Sequence, residues 1–344
     1  MYALQISSHI ILRSNWTATR RMHSTLVRKL RRLQLLKENA EQCVEVLKSS
    51  NSKFVLFYDS KPLMTKSGSD LVVALKSLQD LQEKFQSCDE ILKTSVLLYN
   101  YDNNKNEEVF AVEIPPGTEV KDDLGEMLSG KFVTPRKALM LVSDRDIGML
   151  SQAISYLHWH GNNQFCSKCG SRSIKTPSGS HRHCSDCKTT HYPMTSPVVI
   201  TLVHHGDHCL LARQPEFQKN FYSALAGFCD IGETFEAAVE REVAEEVGLE
   251  VDNIRFFSSQ HWPFPASSLM LGCHARLKEG TEQKIALDKA ELEDALWFHR
   301  DEVKKAVLFQ PKHFTKTRTD KMPWFSIPPP LAIAHHLIKS WALN

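Results

Sequence analysis

Three glutamates, Glu242, Glu245 and Glu246, stand at i, i+3 and i+4, a spacing that puts their carboxylates on one face of a helix. Like charges so close destabilise a bare helix, and a divalent cation offsets the repulsion. Hard oxygen donors select Mg²⁺ or Mn²⁺. Two or three such ions grip a diphosphate, lower the pKa of a bound water and stabilise charge on the leaving phosphate. The stretch reads Gly227-x5-Glu233-x7-Arg241-Glu242-Val243-x-Glu245-Glu246-x-Gly248-Leu249. Average residue frequencies give this nine-position pattern a chance of about 10⁻⁷ in a chain of this length. It is therefore a motif rather than an ordinary Glu-rich surface helix. Arg241 is placed to pair with Glu233 or Glu245 and hold the carboxylates. Thr234 reads as the N-cap and Gly248 as the stop of a helix over Phe235–Val247.

A second cluster is Cys166-x2-Cys169-x14-Cys184-x2-Cys187. Paired CxxC turns supply four thiolates to one soft tetrahedral centre, which suits Zn²⁺. A closed set of four leaves no open position, so this metal is expected to be structural. The alternatives are four redox or buried thiols and a nucleic-acid-binding ribbon, although residues 170–183 carry bases without interleaved aromatics. The remaining cysteines, Cys43, Cys88, Cys209, Cys229 and Cys273, are scattered and read as core residues.

A third stretch is Ser259-Gln260-His261-Trp262-Pro263-Phe264-Pro265-Ala266-Ser267. Prolines flanking Phe264 fix a rigid loop whose aromatic surfaces could stack on a base, with Gln260 and Ser267 offering hydrogen bonds. The bland reading is a packed Pro-rich corner.

These residues need a scaffold. The chain has 344 residues, 42% hydrophobic and 24% charged, with 14 Gly and 15 Pro. That length predicts two to three domains of ordinary globular composition. No run approaches the ~18 apolar residues of a membrane-spanning helix. The net charge of +2 hides an asymmetry. Eight of the 42 basic residues fall within residues 1–37, before the first acid at Glu38, and the remaining 34 face 40 acidic residues, a balance of −6. A mildly acidic body gives no electrostatic reason to expect nucleic-acid binding. The acid-free basic start reads as a mitochondrial targeting segment cut near residues 20–25, leaving a basic arm. Its alternative is a basic helix belonging to the fold.

Residues 38–160 read as an α+β domain, with helices over 34–50, 76–92 and 144–160 and strands at Phe54–Tyr58, Leu71–Leu75, Val96–Tyr99 and Val109–Ile114. The polar stretch Asn100–Glu108 separates the last two strands. Residues 161–195 form the cysteine segment. Residues 196–344 read as strands Val198–Val203 and His208–Ala212 turned by Gly206-Asp207, the acidic helix, and strands near Phe256–Ser259 and Leu269–Ala275. A strand or turn over Glu291–Phe298 then leads into a helix near Asp301. A Pro- and Lys-rich loop over 311–330 precedes a closing helix, Leu331–Leu343.

The motif at 227–249 resembles the Nudix hydrolases at every defining position. The loop at 259–267 is similar to the SQPWPFPxS signature of their NADH pyrophosphatase subfamily, as are the zinc-ribbon segment, Trp159-His160, Phe165-Cys166 and Tyr192-Pro193. The resemblance implies a Nudix α/β/α sandwich preceded by a four-cysteine ribbon and a smaller α+β N-terminal domain. It implies hydrolysis of NADH, and of NADPH, to reduced nicotinamide mononucleotide and AMP or 2′-phospho-AMP. Glu242, Glu245 and Glu246 would ligate Mg²⁺ or Mn²⁺, with Glu291 as a further ligand or base and Glu293 its competitor. Gln260, Trp262, Phe264, Ser267, Ala226 and, from the ribbon side, Phe165 and Tyr192 would shape the substrate site. A homodimer is implied as well, in a mitochondrial member of the group. Three positions depart from the subfamily: His261 replaces a proline, and Met194 and Ser196 replace an Arg and an Asp whose ion pair would brace the ribbon. The same chemistry on NAD-capped RNA or ADP-ribose, and a nucleotide-binding protein with a weakened site, are the alternative functions.

Overall fold

The computed structural model describes residues 19–68, 70–86, 88–99, 107–115, 124–264, 267–309 and 323–344. The first 18 residues of the basic start lie outside the described residues. So do most of the 100–108 stretch, Pro265, Ala266 and residues 310–322, which take in the first part of the Pro- and Lys-rich loop. The fold is α+β, and the chain divides into two compact units.

Among the described residues, the first unit draws on those within 19–65, 73–132 and 160–192. Its centre is the parallel pair Lys53–Tyr58 and Val109–Glu113, with Val96–Leu98 added antiparallel beyond it. Lys61–Ser67 pairs on the other side of Lys53–Tyr58. Phe54, Leu56, Phe110 and Val112 alternate onto one face and bury a core with helix residues Leu36, Cys43, Leu81 and Ile91. Leu36 closes the basic helix Thr19–Glu38, and Arg32 pairs with Glu108, so the end of the basic start packs as part of this unit. The helix read over 76–92 is two short ones, Leu78–Lys84 and Cys88–Lys93, the first begun by a Ser77–Asp80 capping box. The cysteine segment folds onto the same unit: Leu97 donates to the Ser178 carbonyl at 2.9 Å, and the His160 ring bonds the Gly179 carbonyl at 2.7 Å.

The second unit comprises the described residues within 66–72, 133–159 and 193–344. Its sheet runs in the order Val251–Trp262, Ser268–Leu277, Ser196–His205, His208–Arg213, Asp294–His299, with Leu225–Phe228 also paired to Ser196–His205. Ser196–His205 is the central strand and pairs in parallel with Ser268–Leu277. Alternation along it makes two cores. Val199 and Val203 point to the face covered by helix Phe235–Val247, while Ile200 and Leu202 point to the face covered by helices Arg300–Leu308 and Ile333–Leu343. Neighbouring Leu210 and Leu211 divide the same way. Helix, sheet and helices thus stack as the sandwich that the resemblance implies.

The acidic helix spans Phe235–Val247, as its periodicity predicts. Thr234 Oγ1 accepts from the Ala237 amide at 3.2 Å, and Gly248 ends the helix with φ +66°. A Cβ at Gly248 would also lie 2.7 Å from the Ala286 Cβ. Gly248→Ala should therefore destabilise this unit by about 1–2 kcal/mol or more. The check is its thermal unfolding midpoint, which a cost-free replacement would leave where it is.

Candidate active site

Arg241 organises the acidic helix. Its Nε and Nη2 bond Glu233 Oε1 and Oε2 at 2.6 and 3.0 Å, a bidentate pair. Its Nη1 reaches Glu242 Oε1 at 2.9 Å and Glu245 Oε2 at 2.8 Å. Nη2 also donates to the Phe228 carbonyl at 2.8 Å. The sequence offered Glu233 or Glu245 as partners, and the structure joins both and adds Glu242. The pairing, together with the Asp230 amide, draws the Glu233 carboxyl down to about 2.

Glu246 has the opposite surroundings. It is buried, and its Oε2 has no hydrogen-bond partner. Burial, then the nearby charges of Glu242, Glu291 and Glu245, push its carboxyl up to about 8. Burial likewise raises the Glu242 carboxyl, against the pull of Arg241. An unpartnered carboxylate oxygen inside a cluster of acids is a donor set that fits hard divalent cations.

Gly227, on strand Leu225–Phe228, makes room for this cluster. A Cβ built on it would lie 1.9–2.1 Å from the carboxyl atoms of Glu242. The glycine is thus needed for space, where the sequence shows only its place in the motif. Ala226, beside it, pairs with Ile200 and packs against the core on the face of the closing helices.

The segment between strands Ser268–Leu277 and Asp294–His299 supplies Glu291. Asp288 donates its amide to the Glu246 carbonyl at 3.0 Å, and Leu292 caps back onto Asp288. The Glu291 charge acts on both Glu242 and Glu246. Glu293 is instead engaged by Arg213, Nη1 to Oε2 at 2.6 Å.

In the loop, Trp262 and Phe264 meet edge to face with centroids 5.8 Å apart. Gln260 uses both ends of its amide on backbone, donating to the Leu331 carbonyl at 2.7 Å and accepting from the Ile333 amide at 2.8 Å. Sequence reading could not find those partners, more than 70 residues away. The Ser267 hydroxyl lies 3.0 Å from His261 Nε2. Phe165 and Tyr192 belong to the first unit. Both are exposed, and Tyr192 stands 5.4 Å from the His181 ring.

Two family patterns match: the NUDIX domain over residues 194–318 and the NADH pyrophosphatase zinc ribbon domain over residues 162–192. The chain is 43% identical over 335 residues to NAD(P)H pyrophosphatase NUDT13, mitochondrial, of Mus musculus, across 93% of this chain and 92% of that one. This chain belongs to the Nudix hydrolases. Within them it falls in the zinc-ribbon NADH pyrophosphatase subfamily. The Homo sapiens protein of the same name is 41% identical over 331 residues, with 93% and 92% coverage. NAD-capped RNA hydrolase NUDT12 of Homo sapiens is 42% identical over 217 residues, 60% of this chain and 44% of that one. The Nudix helix is Phe235–Val247, and the chain is a Nudix-type phosphoanhydride hydrolase acting on a dinucleotide diphosphate.

The ribbon of this Nudix protein gathers four thiols. The Sγ atoms of Cys166, Cys169, Cys184 and Cys187 lie within 4.8 Å of one another, with Cys166–Cys187 and Cys169–Cys184 each at 3.5 Å. Tetrahedral zinc with bonds of about 2.3 Å needs sulfurs about 3.8 Å apart, so the four fit it. They form a structural metal-binding cluster, away from the carboxylates in sequence and in kind.

Two outcomes are expected. Gly227→Ala should lower kcat/KM by about 10²-fold through displacement of Glu242, with the circular dichroism spectrum unchanged. Cys184→Ser should lose one equivalent of zinc by elemental analysis and lower the melting temperature of the first unit. Metal retained at full stoichiometry would count against a four-thiolate site.

Proposed function

We propose that this Nudix hydrolase cuts the central diphosphate of NADH, and of NADPH, releasing reduced nicotinamide mononucleotide and AMP or 2′-phospho-AMP. The observation that carries the reading is the buried, unpartnered Glu246 oxygen within carboxylates braced by Arg241. Similarity over more than nine-tenths of the chain to proteins named NAD(P)H pyrophosphatase supports the substrate.

Glu242, Glu245, Glu246 and Glu291 would hold Mg²⁺ or Mn²⁺. Bound there, such ions supply neutralisation of the diphosphate and a water acidic enough to attack phosphorus at neutral pH. The chain's own part is positional. Arg241 fixes Glu242 and Glu245 while spending its charge on Glu233, which keeps the carboxylates gathered before any substrate arrives. Burial of Glu246 keeps bulk water from satisfying the oxygen meant for a cation. Trp262 and Phe264 present aromatic faces for the base, with Ser267 and Ala226 beside the nucleotide. Gln260 serves by tying the loop strand to the closing helix. The four-thiolate cluster takes Zn²⁺ for structure alone.

The enzyme works in the mitochondrion as a homodimer, a placement supported by its basic start and the mitochondrial relatives. A second reading, removal of the NAD cap from RNA by the same site, is favoured by the similarity to a named NAD-capped RNA hydrolase.

The test mixes the full-length protein with equal NADH, NADPH, NAD⁺ and ADP-ribose and Mg²⁺ or Mn²⁺, and resolves products by mass. Reduced dinucleotides should disappear first, and Glu246→Gln should slow this by about 10³-fold. Turnover of none of the four would sink the reading and direct the same assay to NAD-capped RNA.

A further inference from the structure

His261 stands where the subfamily signature has a proline, and its surroundings give the exchange a purpose. It lies near the end of Val251–Trp262, the edge strand of the sheet. A proline there would stiffen the turn into the aromatic loop and cost the sheet little, because an edge strand tolerates a missing donor. Histidine gives up that stiffness. In exchange its ring makes two strong hydrogen bonds, Nδ1 with Ser151 Oγ at 2.7 Å and Nε2 with Ser267 Oγ at 3.0 Å. Ser155 Oγ stands 3.5 Å from the same Nε2.

The two ends of this bridge differ in kind. Ser151 is buried on the helix Asp144–Asn162, a rigid element 110 residues earlier in the chain. Ser267 closes the aromatic loop with φ +65°, a left-handed conformation that a non-glycine residue holds only when its neighbours enforce it. Its carbonyl accepts from the Ser196 amide at 3.0 Å. A neutral imidazole donates from one nitrogen and accepts at the other, and two hydroxyls complement it in either tautomer. Burial lowers the pKa of His261 and so favours that neutral ring. The same part of the chain touches the loop a second time: the Arg136 guanidinium lies 5.2 Å from the centre of the Phe264 ring.

We propose that His261 is a positioning residue, which pins Ser267 and the strand end that carries Trp262 to the helix Asp144–Asn162 through Ser151 and thereby sets affinity for the nucleotide rather than the rate of bond cleavage. The proposal rests on the reading that this loop binds the dinucleotide. His261 touches none of the carboxylates and takes no part in the chemistry. It lowers the cost of ordering Trp262 and Phe264 when substrate binds, because His261 and Ser267 on either side of them are already held. Arg136 meanwhile covers part of the Phe264 ring.

The experiment measures kcat and KM for NADH on the full chain and on His261→Ala, Ser151→Ala, the double variant and His261→Pro. Hydrogen exchange of the peptide around residues 257–268 is followed in each. Either alanine variant should raise KM about five- to tenfold with kcat within threefold, and the double variant should be no worse than the weaker single. His261→Pro should restore KM to within about twofold by replacing the bridge with backbone stiffness. Exchange should speed up in both alanine variants and return towards the wild-type rate in His261→Pro. Equal losses in kcat and KM, multiplicative effects in the double variant, or a proline variant as poor as alanine would each overturn the proposal. Should the wild-type protein leave NADH intact, the substrate reading fails, while unchanged exchange in the alanine variants would independently overturn the pinning.

Discussion

Everything at this site depends on keeping like charges together. Glu242, Glu245, Glu246 and Glu291 repel one another, and a chain without restraint would splay them into solvent. Arg241 prevents this by placing one planar guanidinium where Glu233, Glu242, Glu245 and the Phe228 carbonyl all meet it. Lysine could not take its place, since a single ammonium has no fork to bind one carboxylate bidentately and still reach two others. Gly227 completes the arrangement from the neighbouring strand by leaving out the one carbon that would evict Glu242.

The sheet beneath serves as a partition. Alternate residues of Ser196–His205 face the acidic helix or the closing helices, so the two cores share one backbone. A one-residue slip of this strand would exchange the two cores and carry Leu225–Phe228, with its glycine, out of register. The precision of the carboxylate cluster is therefore inherited from ordinary aliphatic packing on both sides of the sheet.

What the sequence disclosed follows from how local each signal is. The acidic helix was legible to the residue because Thr234, the glutamate spacing and Gly248 all lie within one short stretch. The ribbon was equally legible, because two CxxC pairs specify their own partners. The strand Lys61–Ser67 was not, since Pro62 and its lysines give no alternating pattern and only pairing with Lys53–Tyr58, Asp70–Val73 and Lys131–Phe132 makes it a strand. The stretch 76–92 looked like one helix, because apolar spacing says nothing of the break at Phe85, where the backbone turns extended. Gln260 and His261 illustrate the further limit. Their residue types suggested hydrogen bonding, but the partners that define their roles come from 71, 73 and 110 residues away. Long-range side-chain pairs leave no trace in local spacing.

The closing helix Ile333–Leu343 is fastened by its own set of ties. Gln260 clasps its first turn, the Ser340 hydroxyl bonds His274 at 2.9 Å, and Arg300 both reaches the Trp341 carbonyl and covers the Trp341 ring. Leu337, Ile338 and Trp341 fill one of the two cores, within the last eight residues of the sequence. Most of this helix is thus interior material. A stop codon placed before Ile333 would therefore take the underside of the sheet and the anchor of the aromatic strand with it.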